Sequence, residues 1–301
     1  MPTLNQGYRH GEQVGAAAAG RTVLDHLAQR FPLASREAWQ GRLDQGQVFL
    51  GDRPAQAGDL LRGGQQLSWV RPPWVEPEVP LATAVLYEDA DLLVVAKPSG
   101  LPTLPAGGEF LEHTLLALVR RRVPAASPMH RLGRGTSGLV LFARTIAARQ
   151  PLQAAFSDPR TRKVYRALCG GQPDLDAVAI TAPIGEVPYA PLGFLHAAAP
   201  GGRRSESHVT VLERRPDSTL LDVEIRTGRP HQIRIHLAWA GHPLVGDPLY
   251  GPGGLPLPGT TALPGDPGYL LHAHRLELAH PRTGAWLVLE CEPPPPLRVG
   301  G

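Results

Sequence analysis

At 301 residues the chain has room for one catalytic-sized domain and one small appended module. Its 42% hydrophobic and 19% charged residues exclude collagen-like and strongly disordered classes, and its net charge of +3 permits a polyanionic partner without requiring one. Cys169 and Cys291 stand far apart with no CxxC and no Cys/His spacing of a zinc site, so neither a disulfide framework nor a metal site is expected, and a reducing cytoplasm fits. The N-terminus has no basic stretch followed by an apolar run, and no apolar segment approaches the roughly 20 residues of a membrane span.

Residues 22–31 place Val23, Leu24, Leu27 and Phe31 at helical spacing, and Ser35 then opens a second helix with Trp39 and Leu43 one turn apart, closed by Gly46. A short apolar strand over 48–50, a Gly51-Asp52 turn and a segment over 66–70 complete a helix-helix-hairpin module spanning 1–70. Arg30, Arg36 and Arg42 on or near its helices suit an RNA-docking face; an ordinary solvated face would carry the same charges. Residues 71–80, with Pro72, Pro73, Pro77 and Pro80, are too rigid to extend a helix or ladder and are expected to be a linker.

From 81 to 301 strand-like runs at 92–96, 138–143, 164–168, 209–213, 220–225 and 286–290 alternate with fewer helical stretches, notably 111–122, which predicts a mixed-sheet α+β domain. Residues 251–268, rich in Gly and Pro without periodicity, are expected to form a long surface loop. Of the 30 Lys+Arg only Lys97 and Lys163 are lysine, a preference suited to bidentate phosphate contacts but also produced by GC-rich coding bias.

Three blocks carry the chemistry. The loop Met129-His130-Arg131-Leu132-Gly133-Arg134-Gly135-Thr136-Ser137-Gly138 feeds an apolar strand, and its glycines let backbone approach a phosphate or a base; anion-binding loop and ordinary turn both fit. The block Arg226-Thr227-Gly228-Arg229-Pro230-His231-Gln232-Ile233-Arg234 reads as helix rather than strand, because Ile233, Leu237 and Ala240 share a face and Gly241 ends it. Arg229, His231, Gln232 and Arg234 are too closely set for a merely solvated surface. In Lys163-Val164-Tyr165, the tyrosine is either half-buried packing or a platform on which a base stacks.

These blocks, together with Val85-Leu86-Tyr87-Glu88-Asp89 and Lys97-Pro98-Ser99-Gly100-Leu101 before them and Gly246-Asp247-Pro248-Leu249-Tyr250-Gly251 after them, resemble in order and separation the RluA family of RNA pseudouridine synthases over about 81–301. The N-terminal module is similar to the small ribosomal-protein-type RNA-binding module that often precedes that domain. The resemblance implies a pseudouridine synthase-like α+β fold and isomerisation of uridine to pseudouridine in structured rRNA or tRNA. It implies no metal or organic cofactor; from the sequence itself a cytoplasmic monomer with no membrane partner is expected. It implies that Tyr165 stacks on the flipped uracil and assists loss of the carbon 5 proton, that Arg234 pairs with the catalytic carboxylate, and that Arg131 occupies the space left by the extruded base. His130, Arg134, Thr136, Ser137, Arg229, His231 and Gln232 are the remaining expected substrate contacts. One departure is central. The family signature His-Arg-Leu-Asp reads His130-Arg131-Leu132-Gly133 here, so the carboxylate that acts on the ribose is missing. An isomerase using another carboxylate or water arrangement is therefore set against an RNA-binding homologue that kept the groove and lost catalysis, and against a structural ribosome-associated factor; Glu109 and Glu112 are the carboxylates nearest in sequence.

Overall fold

A computed structural model of the protein describes residues 4–32, 34–105 and 108–300; residues 1–3, 33, 106–107 and 301 lie outside the described residues. The chain divides into two units, Met1–Glu76 and Pro77–Gly301.

In the first unit β1 (Tyr8–Gln13) is followed by α1 (Val23–Arg30), α2 (Arg36–Asp44), β2 (Val48–Leu50), β3 (Arg53–Pro54) and β4 (Gln66–Arg71), with sheet order β1-β4-β2-β3. Both helices start where their caps dictate: the Thr22 hydroxyl accepts from the Asp25 N–H (3.1 Å) and the Ser35 hydroxyl from the Ala38 N–H (3.2 Å). Their apolar faces, with Leu27 and Trp39 buried, pack on Val48, Leu50 and Leu67 of the sheet. The predicted helix-helix-hairpin order is present, with one addition. β1 pairs with β4 along its whole length, although Tyr-Arg-His-Gly-Glu-Gln carries no apolar alternation that would announce a strand.

The segment expected as linker is partly tied to this unit, since Asn5 Nδ2 donates to Glu76 Oε1 (2.7 Å) and the Asn5 N–H to Trp74 O (3.0 Å). The three helix arginines are not free cations. Arg30 faces Glu12 at 3.5 Å, Arg36 is bonded to Asp25, and the Arg42 guanidinium lies 4.3 Å and 4.4 Å from the ring centres of Trp39 and Trp69.

The second unit runs β5 (Ala84–Glu88), β6 (Leu92–Lys97), α3 (Leu115–Arg122), β7 (Ser127–Pro128), β8 (Ser137–Ala143), α4 (Ile146–Ser157) and β9 (Arg162–Gly170). It continues through β10 (Ala177–Ile180), β11 (Ile184–Tyr189), β12 (Gly193–Ala198), β13 (Ser207–Arg214), β14 (Ser218–Ile225) and α5 (Gln232–Trp239). The chain closes with β15 (Tyr250–Gly251), β16 (Leu255–Pro256), β17 (Leu271–Ala279) and β18 (Trp286–Glu290). One large mixed sheet has the order β10-β13-β14-β9-β17-β8-β6-β5, with β18 added to β17 and β7 to β8.

Every pairing in that sheet is antiparallel except β17 with β8, which run parallel for only two residue pairs, His272 with Ser137 and Ala273 with Gly138. Beyond them β17 exchanges β8 for β18. On one side of this junction β6 and β8 pack with α3 and α4; on the other β9, β14 and α5 share a second core. The loops that reach the junction, before β8, before α5 and before β17, therefore converge on one place.

Helix α3 starts later than predicted, at its Thr114 cap, and α5 confirms the helix reading of its block, with Gly241 ending it at φ +88°. Helix α4 was not anticipated because Pro151 lies inside it and interrupts the pattern. Strand β17 was hidden by its polar residues His272, His274, Arg275 and Glu277; His272 bonds the distant Ser137, and both histidines bond Cys291 O. The long loop expected over 251–268 contains the short β15–β16 pair and is pinned to β11: Tyr189 Oη donates to Ala262 O (2.7 Å).

Gly138 sits where the parallel strands touch, at φ +112°, and a Cβ there would lie 2.3 Å from Ala273 O and 2.5 Å from Ala273 N, both backbone. Gly138→Ala is expected to destabilise the protein by about 2–4 kcal/mol, from backbone strain plus overpacking. Gly201→Ala, with open space at its Cβ and no positive φ, should stay within about 0.5 kcal/mol. Denaturant unfolding of both variants checks the contrast.

Candidate active site

The loop before β8 is clasped from behind. Lys97, at the end of β6 and 1% exposed, donates from Nζ to the carbonyls of Leu101 (2.6 Å), Pro98 (3.0 Å) and Arg134 (3.2 Å). Burial pushes its pKa down to about 7, while three carbonyls give an ammonium all the acceptors it needs. Thr103 Oγ1 donates to Leu132 O (2.8 Å) and accepts from the Leu132 N–H (3.2 Å), and Ser99 Oγ donates to Gly135 O (2.7 Å). The backbone of 132–135 is thus fixed by side chains of the strand-following segment, which leaves Arg131 and Gly133 facing outward.

A cavity of about 400 Å³ opens over this loop. His130, Phe156 and Lys163 form one wall: the imidazole stacks on the Phe156 ring (5.0 Å, 8°), the Lys163 ammonium lies 4.0 Å from the ring centre, and His130 Nε2 accepts from the Leu141 N–H (3.1 Å). Burial, then the Lys163 charge, pushes the His130 pKa down to about 4, so this histidine is a neutral brace for the loop. Tyr165, from the centre of β9, is half-buried in the cavity with its phenol pushed up to about 12 by burial. Arg131 and Arg229 complete the cationic lining, Arg229 also donating from Nε to Arg204 O (3.1 Å).

His231 precedes α5 in the left-handed region (φ 53°, ψ 21°), an unusual conformation for a residue with a side chain. Its Nδ1 lies 2.8 Å from Tyr250 Oη, whose single proton is donated to His196 O (2.7 Å). The imidazole must then carry its proton on Nδ1, which leaves Nε2 as an acceptor. Burial, then the Arg234 charge, pushes its pKa down to about 3, in keeping with a neutral ring. Gln232 is spent on structure: its Oε1 accepts from Thr227 Oγ1 (2.7 Å) and the Arg229 N–H (3.1 Å), and its Nε2 donates to Glu206 O and Ser207 Oγ (both 2.9 Å).

Arg234, 2% exposed, makes a two-pronged ion pair with Asp247 (Nε to Oδ2 and Nη2 to Oδ1, both 2.7 Å) and donates from Nη1 to Pro264 O (2.9 Å). Burial works against its charge, but the Asp247 bonds and two tyrosine rings outweigh it and hold the guanidinium more firmly protonated than usual. The Tyr269 ring centre is 4.1 Å away and that of Tyr250 5.0 Å. The resemblance implied that Arg234 pairs with the catalytic carboxylate; its partner here is instead Asp247, which does not line the cavity.

The backbone at Gly133 is not in the positive-φ region, so it accepts a side chain conformationally. What fills the space is Tyr269 Oη, 2.8 Å from the position a Cβ would take, with Thr136 Oγ1 3.2 Å from that hydroxyl. Among the described residues no Asp or Glu lines the cavity, and Glu109 and Glu112 are not part of it. Arg134 and Ser137 are also outside: Arg134 lies against Phe110 (5.5 Å), and Ser137 Oγ bonds His272 Nδ1 (2.9 Å). Arg131, Thr136, Tyr165, Arg229, His231, Gln232 and Arg234 converge as expected. Phe156 and Tyr269 were missed by sequence reasoning, since neither lies in a patterned block; Lys163 had one signal, its being one of two lysines.

Residues 91–239 match the family described as RNA pseudouridylate synthase. An uncharacterized RNA pseudouridine synthase of Synechocystis is 45% identical over 277 residues, covering 91% of this chain and 95% of the relative. A ribosomal large subunit pseudouridine synthase D of Neisseria meningitidis is 33% identical, over 95% of this chain and 79% of the relative. Among solved structures, human RNA pseudouridylate synthase domain containing 1 is similar with a TM-score of 0.55 and 26% identity, covering 73% of this chain and 87% of that one.

Two outcomes follow from the site. Asp247→Asn leaves the Arg234 charge buried without its counter-ion and is expected to destabilise by about 3–5 kcal/mol; a loss below about 1 kcal/mol in urea unfolding refutes the pairing as a structural anchor. The second outcome concerns pH. His130, His231 and His272 have folded pKa values of about 4, 3 and 4, each lowered by burial from the ordinary 6.5. As pH falls from about 6.5 to about 4 the unfolded chain takes up protons that the fold refuses, so stability must fall across that window, by up to roughly 1.4 kcal/mol per pH unit for each histidine. Proton uptake on unfolding at pH 5.5 measures this, and His130→Phe should lower it.

Proposed function

The chain belongs to the RNA pseudouridylate synthase family, and from that premise we propose that it isomerises uridine to pseudouridine in a structured RNA. The observation that carries this reading is the half-buried Tyr165 ring in a cavity of about 400 Å³ edged by Arg131, Lys163 and Arg229. A uridine swung out of its stack would place its base against Tyr165 and its flanking phosphates near those cations, at an extrusion cost of a few kcal/mol, with Arg131 at the space the base leaves. The phenol of Tyr165, kept neutral by burial, is suited to relaying the carbon 5 proton rather than to holding a charge.

The name of the Neisseria relative supports ribosomal RNA as the substrate class. The first unit, whose helices carry the exposed Arg30 and Arg36, would add docking surface for RNA. Both cysteines are free and buried, which supports action in a reducing compartment; among the described residues no helix is long and apolar enough to cross a membrane. One observation favours the second reading, a homologue that binds RNA without modifying it: the absence of any carboxylate among the described residues lining the cavity.

The experiment that separates the two is a map of pseudouridine in total RNA from cells with and without the gene. The isomerase reading expects one or a few positions to lose pseudouridine in the deletion and to regain it on treatment with purified protein. Identical maps, with RNA still bound by the protein, favour the binder.

A further inference from the structure

We propose that Tyr269 supplies the group that acts on the target ribose, in the place where the family signature carries an aspartate. This rests on the isomerase reading above and adds to it the identity of the reacting atom.

Four observations support it. Tyr269 Oη lies 2.8 Å from where a Cβ of residue 133 would be, so the hydroxyl occupies the space a carboxylate on that residue would enter. Gly135 makes room for the same side chain: a Cβ there would meet Cε1 and Cζ of the ring at 2.9 Å. Neither glycine has a positive φ, so the Gly133-Arg134-Gly135 sequence is explained by the volume of the tyrosine and not by a strained turn. The ring is held in a reactive setting, 3% exposed, with Thr136 Oγ1 3.2 Å from Oη and the Arg234 guanidinium 4.1 Å from the ring centre. Arg234 is itself fixed by Asp247, so the guanidinium against which the Tyr269 ring packs is immobile and holds the hydroxyl beside position 133.

The chemistry closes without a co-reactant. Tyr269 Oη forms a bond to ribose C1′ as the C1′–N1 bond breaks and its electron pair leaves with the uracil; the phenolic proton passes to the uracil and ends on N1. After the base has turned against Tyr165, its C5 attacks C1′, the C1′–Oη bond breaks with its pair returning to the tyrosine oxygen, and the C5 proton is delivered to that oxygen. Uridine has become pseudouridine and Tyr269 is again a phenol.

The test uses the full chain, with total RNA from a strain lacking the gene as substrate, and reads pseudouridine formation, RNA affinity and thermal stability. Tyr269→Phe keeps the ring and removes the oxygen, and is expected to lower turnover by about 10²–10⁴-fold with Kd changed less than about twofold. Turnover above a tenth of wild type overturns the assignment. If Tyr269→Phe also weakens binding or stability, the double variant Gly133→Asp with Tyr269→Phe decides, because removing the hydroxyl opens the space for a carboxylate. Recovery of at least tenfold over Tyr269→Phe supports a reacting group at this point, and no recovery counts against it. A wild type inert on every RNA it binds defeats the isomerase reading together with this one, whereas an active wild type indifferent to Tyr269→Phe defeats only the tyrosine.

Discussion

The buried ion pair of Arg234 and Asp247 constrains more of this site than any other contact. Two charges that are each almost fully removed from water require every donor and acceptor to be met, and here they are: Asp247 Oδ1 also accepts from the N–H groups of Leu249 (2.9 Å) and Tyr250 (3.1 Å), and Arg234 reaches Pro264 O. Helix α5, the turn before β15 and the loop leading to β17 are thereby tied to one point. Tyr250 and Tyr269 pack on the guanidinium from that framework, and Tyr250 in turn sets the tautomer of His231. A cluster of this kind contributes less to net stability than to geometry, since the desolvation of both ions offsets much of their attraction.

The opposite wall of the cavity is built by a different device. There a lysine that ends β6, with a serine and a threonine after it, holds backbone carbonyls and an N–H of the 132–135 loop, so the loop keeps its shape without relying on its own side chains. That frees Arg131 for solvent and permits glycine at 133 and 135, where the Tyr269 side chain enters. The two walls meet above the short parallel contact of β8 with β17, and the close approach at Gly138 sets how near they come.

Local signals were legible where the cause is local. The cap at Ser35, the apolar spacing of Leu24, Leu27, Trp39 and Leu43, and the uninterrupted apolar run of β8 all arise from residues within a few positions of one another. Motif order was equally legible, and it led to the family, to Tyr165, and to Arg131, Arg229 and Arg234 around one cavity. The expected substrate contacts Arg134 and Ser137 fell outside it because their partners, Phe110 and His272, lie far off in sequence and spacing alone does not show them.

By itself, then, the sequence determined the helices with strong caps, the central apolar strands, the family, and the absence of a carboxylate at position 133, all properties of residue identity and short-range periodicity. Only the tertiary structure decided that Asp247 is the partner of Arg234, that β17 joins β8 in the sheet's one parallel contact, and that a tyrosine 136 positions away from Gly133 fills the vacant space. The reason is physical. These contacts join segments far apart in the chain, and their energy comes from burial and charge pairing in an enclosed site, terms that exist only once the sheet has brought three separate loops to the same junction.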